Sequence, residues 1–120
     1  MTSEDYHAIW SLAGFWRGEA DPTPYLLTHG GQGLPMSGQA VYIAEGVDGS
    51  IAYVGSTVSG ARGRIRAHLR EPPKAARWRA IWVIPLREDA PEKFVRRIEG
   101  RIGQRLQPVG NRRLPAAYGP

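Results

Sequence analysis

The dipeptide Asp48-Gly49 sits inside an otherwise apolar stretch, Gln39–Gly55, QAVYIAEGVDGSIAYVG. Asp-Gly supplies the positive φ angles that a tight hairpin turn requires, so two strands are expected on either side of it. Read as a two-residue loop, it sets Val47 opposite Ser50, Ala44 opposite Tyr53 and Tyr42 opposite Gly55. Side chains alternate across a strand, which puts Tyr42, Ala44 and Tyr53 on one face. Val41, Ile43, Ala52 and Val54 fall on the other face, which is wholly apolar and reads as core. The two tyrosines are then diagonal neighbours, roughly 7–8 Å apart at the backbone. A slip of one residue would send them to opposite faces. Tyrosine is common in strands, so the pair reads either as edge aromatics of a twisted hairpin or as two phenols presented together.

The remaining composition narrows the class. A chain of 120 residues, 42% hydrophobic, suits one domain with a real core. With no cysteine there is no disulfide framework and no thiolate metal site. His7, His29 and His68 are too far apart in sequence to form a metal-ligand spacing. No apolar run approaches the roughly 20 residues of a membrane span, and no basic-then-apolar leader opens the chain. These features predict a soluble, intracellular (cytoplasmic) protein with no membrane partner. Charge is uneven: residues 1–36 set Glu4, Asp5, Glu19 and Asp21 against Arg17, so the rest of the chain carries all of the net +5 and more. Fourteen of the sixteen basic residues are arginine, the residue suited to bidentate phosphate contacts. A basic region of this size points to a polyanion, most simply nucleic acid, or else to a solvated basic surface.

Along the chain, Ser3 to Trp16 is expected to be a helix capped by Ser3, with Tyr6, Ile9, Trp10, Ala13 and Trp16 at helical spacing. Residues 21–38 are rich in Pro and Gly and read as a loop. After the hairpin, Ser59 can cap a helix to about Arg70, ended by Pro72-Pro73. Arg62, Arg66 and Arg70 form a basic stripe on it, while Arg64 and His68 share an edge beside the apolar stripe. Trp78–Leu86 reads as a third strand. A last helix follows, with Asp89 as its cap, Pro91 in its first turn and its end near Leu106. Phe94, Val95, Ile98, Ile102 and Leu106 are its buried stripe, and Glu99 borders that stripe. A carboxylate tilted inward needs a partner: an arginine, or a divalent metal held by oxygen ligands. Asn111-Arg112-Arg113 is the polar cluster of the tail.

The ordered set of two hairpin tyrosines, a helix with Arg and His, a strand, a helix with a mid-helix Glu, and then Asn resembles the GIY-YIG endonuclease domain. Its first tripeptide corresponds to Ala40-Val41-Tyr42, with Ala-Val in place of Gly-Ile, and its second to Tyr53-Val54-Gly55. The resemblance covers about residues 37–115. It implies an α+β fold: a small three-stranded antiparallel sheet flanked by helices, in the order β-β-α-β-α, with residues 1–36 as an N-terminal helical extension and 37–120 as the nuclease domain. It implies Tyr42, Tyr53, Arg64, His68, Glu99 and Asn111 as catalytic residues. One Mg2+ or Mn2+ ion would be held by Glu99. Arg62, Arg66, Arg70, Arg112 and Arg113 would contact the DNA. The implied reaction is hydrolysis of DNA phosphodiester bonds, structure-directed or weakly sequence-specific, with a protein partner or a homodimer as a source of specificity. Arg64 would grip the scissile phosphate. Tyr42 would orient or deprotonate the attacking water, with neutral His68 as a second candidate for the proton. Two other functions fit the same residues. One is a module of this fold that binds DNA or RNA without cutting. The other is a regulatory protein that docks a partner through its acidic N-terminal segment.

Overall fold

In the computed structural model, which describes residues 1–109, the strands are β1 (Tyr25–Leu26), β2 (Gln39–Gly46), β3 (Ile51–Thr57) and β4 (Trp78–Leu86). The helices are α1 (Ser3–Ala13), α2 (Ala61–Leu69), α3 (Pro72–Arg77) and α4 (Glu92–Leu106). The fold is α+β, with one antiparallel sheet in the order β1-β4-β2-β3. Every residue of β2 is buried, because this strand has a neighbour on each edge and helices on each face. On one face, Val41, Ile43, Val54, Trp82 and Ile84 pack against Tyr6, Ile9 and Trp10 of α1 and Val95, Ile98 and Ile102 of α4. On the other, Tyr42, Ala44, Ile81 and Val83 meet Ala61 and Ile65 of α2 and Leu34 of the preceding loop. Among the described residues no helix is long and apolar enough to cross a membrane.

The hairpin differs from expectation at its tip. The loop has three residues, not two: Gly46 N–H donates to Ser50 O at 2.8 Å and Gly49 N–H to Gly46 O at 3.0 Å. Gly49 takes φ +82°, the left-handed residue that closes a three-residue turn. Asp48 Oδ1 accepts from both the amide and the hydroxyl of Ser50, which favours this longer turn. The extra residue would have thrown the tyrosines out of register, but a bulge corrects it. Pairing steps from Glu45↔Ile51 to Ala44↔Tyr53, so Ala52 has no partner of its own. Beyond the bulge Ala44↔Tyr53 and Tyr42↔Gly55 stand opposite each other as expected. Ala52 itself now packs with the Tyr42 side rather than with Val41, Ile43 and Val54.

The sheet has four strands where the sequence suggests three. The added strand, β1, comes from the Pro/Gly-rich segment and pairs Tyr25 with Ile81 and Leu26 with Ala80. Two residues are too few to display a period. Helix α1 starts one residue earlier and stops three earlier than expected. Its cap is Thr2, whose hydroxyl accepts the Asp5 amide while the Asp5 carboxylate accepts the Thr2 amide. Gly14, at φ +70°, ends it. Trp16 lies beyond the helix and stacks on Trp10 at 5.7 Å. Pro72 does not merely stop α2; it opens α3, where a missing N–H costs nothing.

Gly60, not Ser59, stands at the start of α2, because the loop before β2 presses against it. Gly60 N–H donates to Gly38 O at 2.9 Å and Arg62 N–H to Pro35 O at 2.9 Å. Gly60 has φ +104°, and a Cβ there would lie 2.7 Å from Ser37 N. Both the backbone conformation and the space exclude a side chain. Gly60→Ala is expected to lose about 2–3 kcal/mol of stability, measured by urea unfolding, from backbone strain alone before any steric shift.

Candidate active site

A cleft of about 400 Å³ opens where the β3 edge meets the first turns of α2 and α4. Tyr42 and Tyr53 line it from the sheet, Ser56 from the end of β3, Arg64 from α2, and Arg96 and Glu99 from α4. Four elements distant in sequence thus bring Tyr42, Tyr53, Arg64 and Glu99 to one place. The tyrosine rings are stacked, 6.3 Å apart at 13°.

Tyr42 does not face outward as a surface residue; it is fully buried. Its strand is central, and its ring lies across Gly55 on β3. A Cβ at Gly55 would come within 2.5 Å of the Tyr42 ring carbon Cζ, so only glycine leaves room for the phenol. Burial, with Tyr53 alongside, pushes the Tyr42 pKa up to about 12; Arg64 nearby pulls the other way without winning. The Tyr42 hydroxyl is 3.0 Å from His68 Nε2. His68 is wedged behind it, with ring centroids 4.7 Å from Tyr53 and 5.0 Å from Trp78. Desolvation, and then the nearby cations Lys74 and Arg64, push His68 down to about 4, so it is neutral near pH 7.

Glu99 accepts a 2.6 Å hydrogen bond from Ser56 Oγ. Burial raises its pKa, opposed by the Ser56 bonds and by Arg96 and Arg64. Of the two partners expected for this carboxylate, arginine is present: Arg96 and Arg64 both lie close enough to oppose the rise in its pKa. Among the described residues no three His, Cys, Asp or Glu side chains cluster as a metal cage. The cleft does offer hard oxygen donors, from Glu92, Glu99, Ser56 and Thr57, of the kind a largely hydrated Mg2+ would accept, beside the guanidinium groups of Arg64 and Arg96. Two carboxylates line the cleft from α4, the exposed Glu92 and the half-buried Glu99.

The basic residues divide. Arg66, on α2, and Arg70, its C-cap, are exposed and available to a phosphate backbone. Arg62 is committed elsewhere: its Nε donates to Leu34 O at 2.8 Å and ties the loop to α2. Asn111, Arg112 and Arg113 lie outside the described residues. Sequence reasoning missed Ser56, Arg96 and Lys74. Ser56 directly follows the Tyr53-Val54-Gly55 tripeptide, and Arg96 precedes Glu99 by three on α4, so both had a positional signal. Lys74 had none, since it sits in a short helix behind two prolines.

No protein-family model matches this chain, and neither the curated proteins nor the solved structures yield a match.

The depressed His68 pKa has a stability consequence with a definite sign. Between about pH 6.5 and 4 the unfolded chain binds a proton at His68 that the folded chain refuses, so stability falls as pH falls through that window. The shift caps this contribution at about 3 kcal/mol. Denaturant midpoints measured from pH 7 to pH 4 should decline less steeply in His68→Gln than in the wild type.

Proposed function

We propose that the protein is a divalent-metal-dependent DNA endonuclease of the GIY-YIG type. The observation that carries this is the single cleft shared by Tyr42, Tyr53, Arg64 and Glu99, supplied by β2, β3, α2 and α4. The order hairpin, helix, strand, helix accords with the β-β-α-β-α plan of that family, with α1, β1 and α3 added to it. The net charge of +5, concentrated after residue 36, supports a nucleic-acid substrate.

In this reading Glu99 holds one Mg2+ or Mn2+ ion, with Ser56 orienting the carboxylate. Bound there, the cation would supply Lewis-acid stabilisation of the phosphate and of the leaving oxygen. Arg64 neutralises charge building on the scissile phosphate, and Arg96 offers a second cation from the opposite wall. Tyr42 orients the attacking water through its phenol oxygen, and Tyr53 flanks it. With a pKa of about 12, forming the Tyr42 phenolate at pH 7 costs about 7 kcal/mol in the free protein. Tyr42 is therefore a neutral phenol at rest, and becomes a base only as positive charge gathers beside it. That same cost is the observation favouring a second reading, a module of this fold that binds nucleic acid without cutting.

Supercoiled plasmid and branched DNA, incubated with the protein in Mg2+, separate the two. Nicking should fall by about 10²-fold or more in Arg64→Ala, and by a comparable factor in Tyr42→Phe and Glu99→Gln. Binding with no nicking by the wild type selects the module. Nicking undiminished in Glu99→Gln removes the metal assignment.

A further inference from the structure

We propose that Lys74 is a positioning residue that locks His68 in its Nε2–H tautomer, so that His68 donates a hydrogen bond to Tyr42 and cannot receive the Tyr42 proton. Lys74 Nζ lies 2.8 Å from His68 Nδ1. An ammonium group only donates, so Nδ1 presents its lone pair and the single ring proton of neutral His68 is on Nε2. Nε2 is 3.0 Å from the Tyr42 oxygen, which therefore accepts. The rival tautomer would need an acceptor for an Nδ1 proton. Glu71 Oε2, the carboxylate beside it, is 3.9 Å away, beyond hydrogen-bond reach.

Lys74 is itself held in place. Its Nζ donates to Glu71 Oε2 at 2.8 Å and lies 5.1 Å from the Tyr53 ring centroid and 5.7 Å from that of Trp78. Helix α3 exists to present it: Glu71 stands at the N-cap and Pro72 fixes the first turn. The groups facing His68 are Tyr42 from β2, Tyr53 from β3, Trp78 from β4, Lys74 and Glu71 from α3 and its cap, and Arg64 from its own helix.

The one ring lone pair of His68 points at Lys74, so a proton leaving Tyr42 has no vacant site on His68. Any proton that Tyr42 gives up therefore leaves to solvent by way of the cleft it lines, not by way of His68. The bond from Nε2–H lowers the cost of that loss, because it favours the phenolate over the phenol. Lys74, at one remove, makes His68 a donor rather than an acceptor.

This rests on the endonuclease reading only for its catalytic arm; the tautomer itself is read without any reaction. Ring nitrogens of 15N-histidine-labelled full-length protein are recorded by NMR at pH 7, with His68 identified by loss of its signals in His68→Gln. The wild type should show the Nε2–H tautomer. Lys74→Met, which keeps the stem over Tyr53 and Trp78, should mix the tautomers and raise the His68 titration midpoint. Lys74→Arg should restore both. Nicking should fall on the order of 10-fold in Lys74→Met, the low end of the range for metal-bound histidines that lose an outer partner, with recovery in Lys74→Arg. An Nδ1–H ring in the wild type, or ring shifts unchanged in Lys74→Met, overturns the proposal. A tautomer switch in a protein that never nicks DNA leaves Lys74 in its role and removes the endonuclease instead.

Discussion

Burial of β2 on both faces and both edges governs the rest of the molecule. A strand in that position can carry few polar groups, and each one here is answered. Gln39 donates from Nε2 to the carbonyls of Arg87 and Ala90, closing the turn that leads into α4. Glu45 is paired with the chain's N-terminal amine and with Arg79. Tyr42 finds His68. An unanswered charge or donor in this strand would cost several kcal/mol, a large part of a domain's net stability. The partners come from the N-terminus ahead of α1, from α2, from β4 and from the turn between β4 and α4, so satisfying β2 also specifies where the surrounding elements dock.

The same burial shapes the chemistry. A phenol on an edge strand would titrate near its ordinary value. Tyr42, on the central strand, is shielded from water and held protonated. Its neighbours compensate in layers: Gly55 yields space, Arg64 adds charge, and His68 with Lys74 adds a fixed dipole and a cation behind it. Desolvation raises the penalty for ionising the group and strengthens each interaction that opposes the penalty.

Much of this was legible in the sequence. The Trp78–Leu86 strand was read to the residue, because the seven residues before Pro85-Leu86 are rich in strand formers. The facing of Tyr42 with Gly55 followed from Asp48-Gly49, although the loop proved one residue longer. The amphipathic stripe of α4 placed Glu99 at its border, as found. Other features depend on tertiary contact and carry no local signal. β1 is too short to show a period. Thr2 became the cap of α1 because Asp5, not Tyr6, lies three residues on. Arg62 looked like any other member of a basic stripe until the loop at Leu34 folded over it. The burial of Tyr42 followed from which strand became central, and strand order was invisible to a pattern of alternating residues.

The Ala52 bulge acts as a vernier between turn and site. The tip of the hairpin counts three residues, the ladder above it is set as though there were two, and one unpaired alanine absorbs the difference. The turn at Val47-Asp48-Gly49, exposed to solvent, can therefore answer to its own local chemistry. The tyrosines are indexed to β4 and to Gly55 instead, and the length of the loop is not transmitted to them.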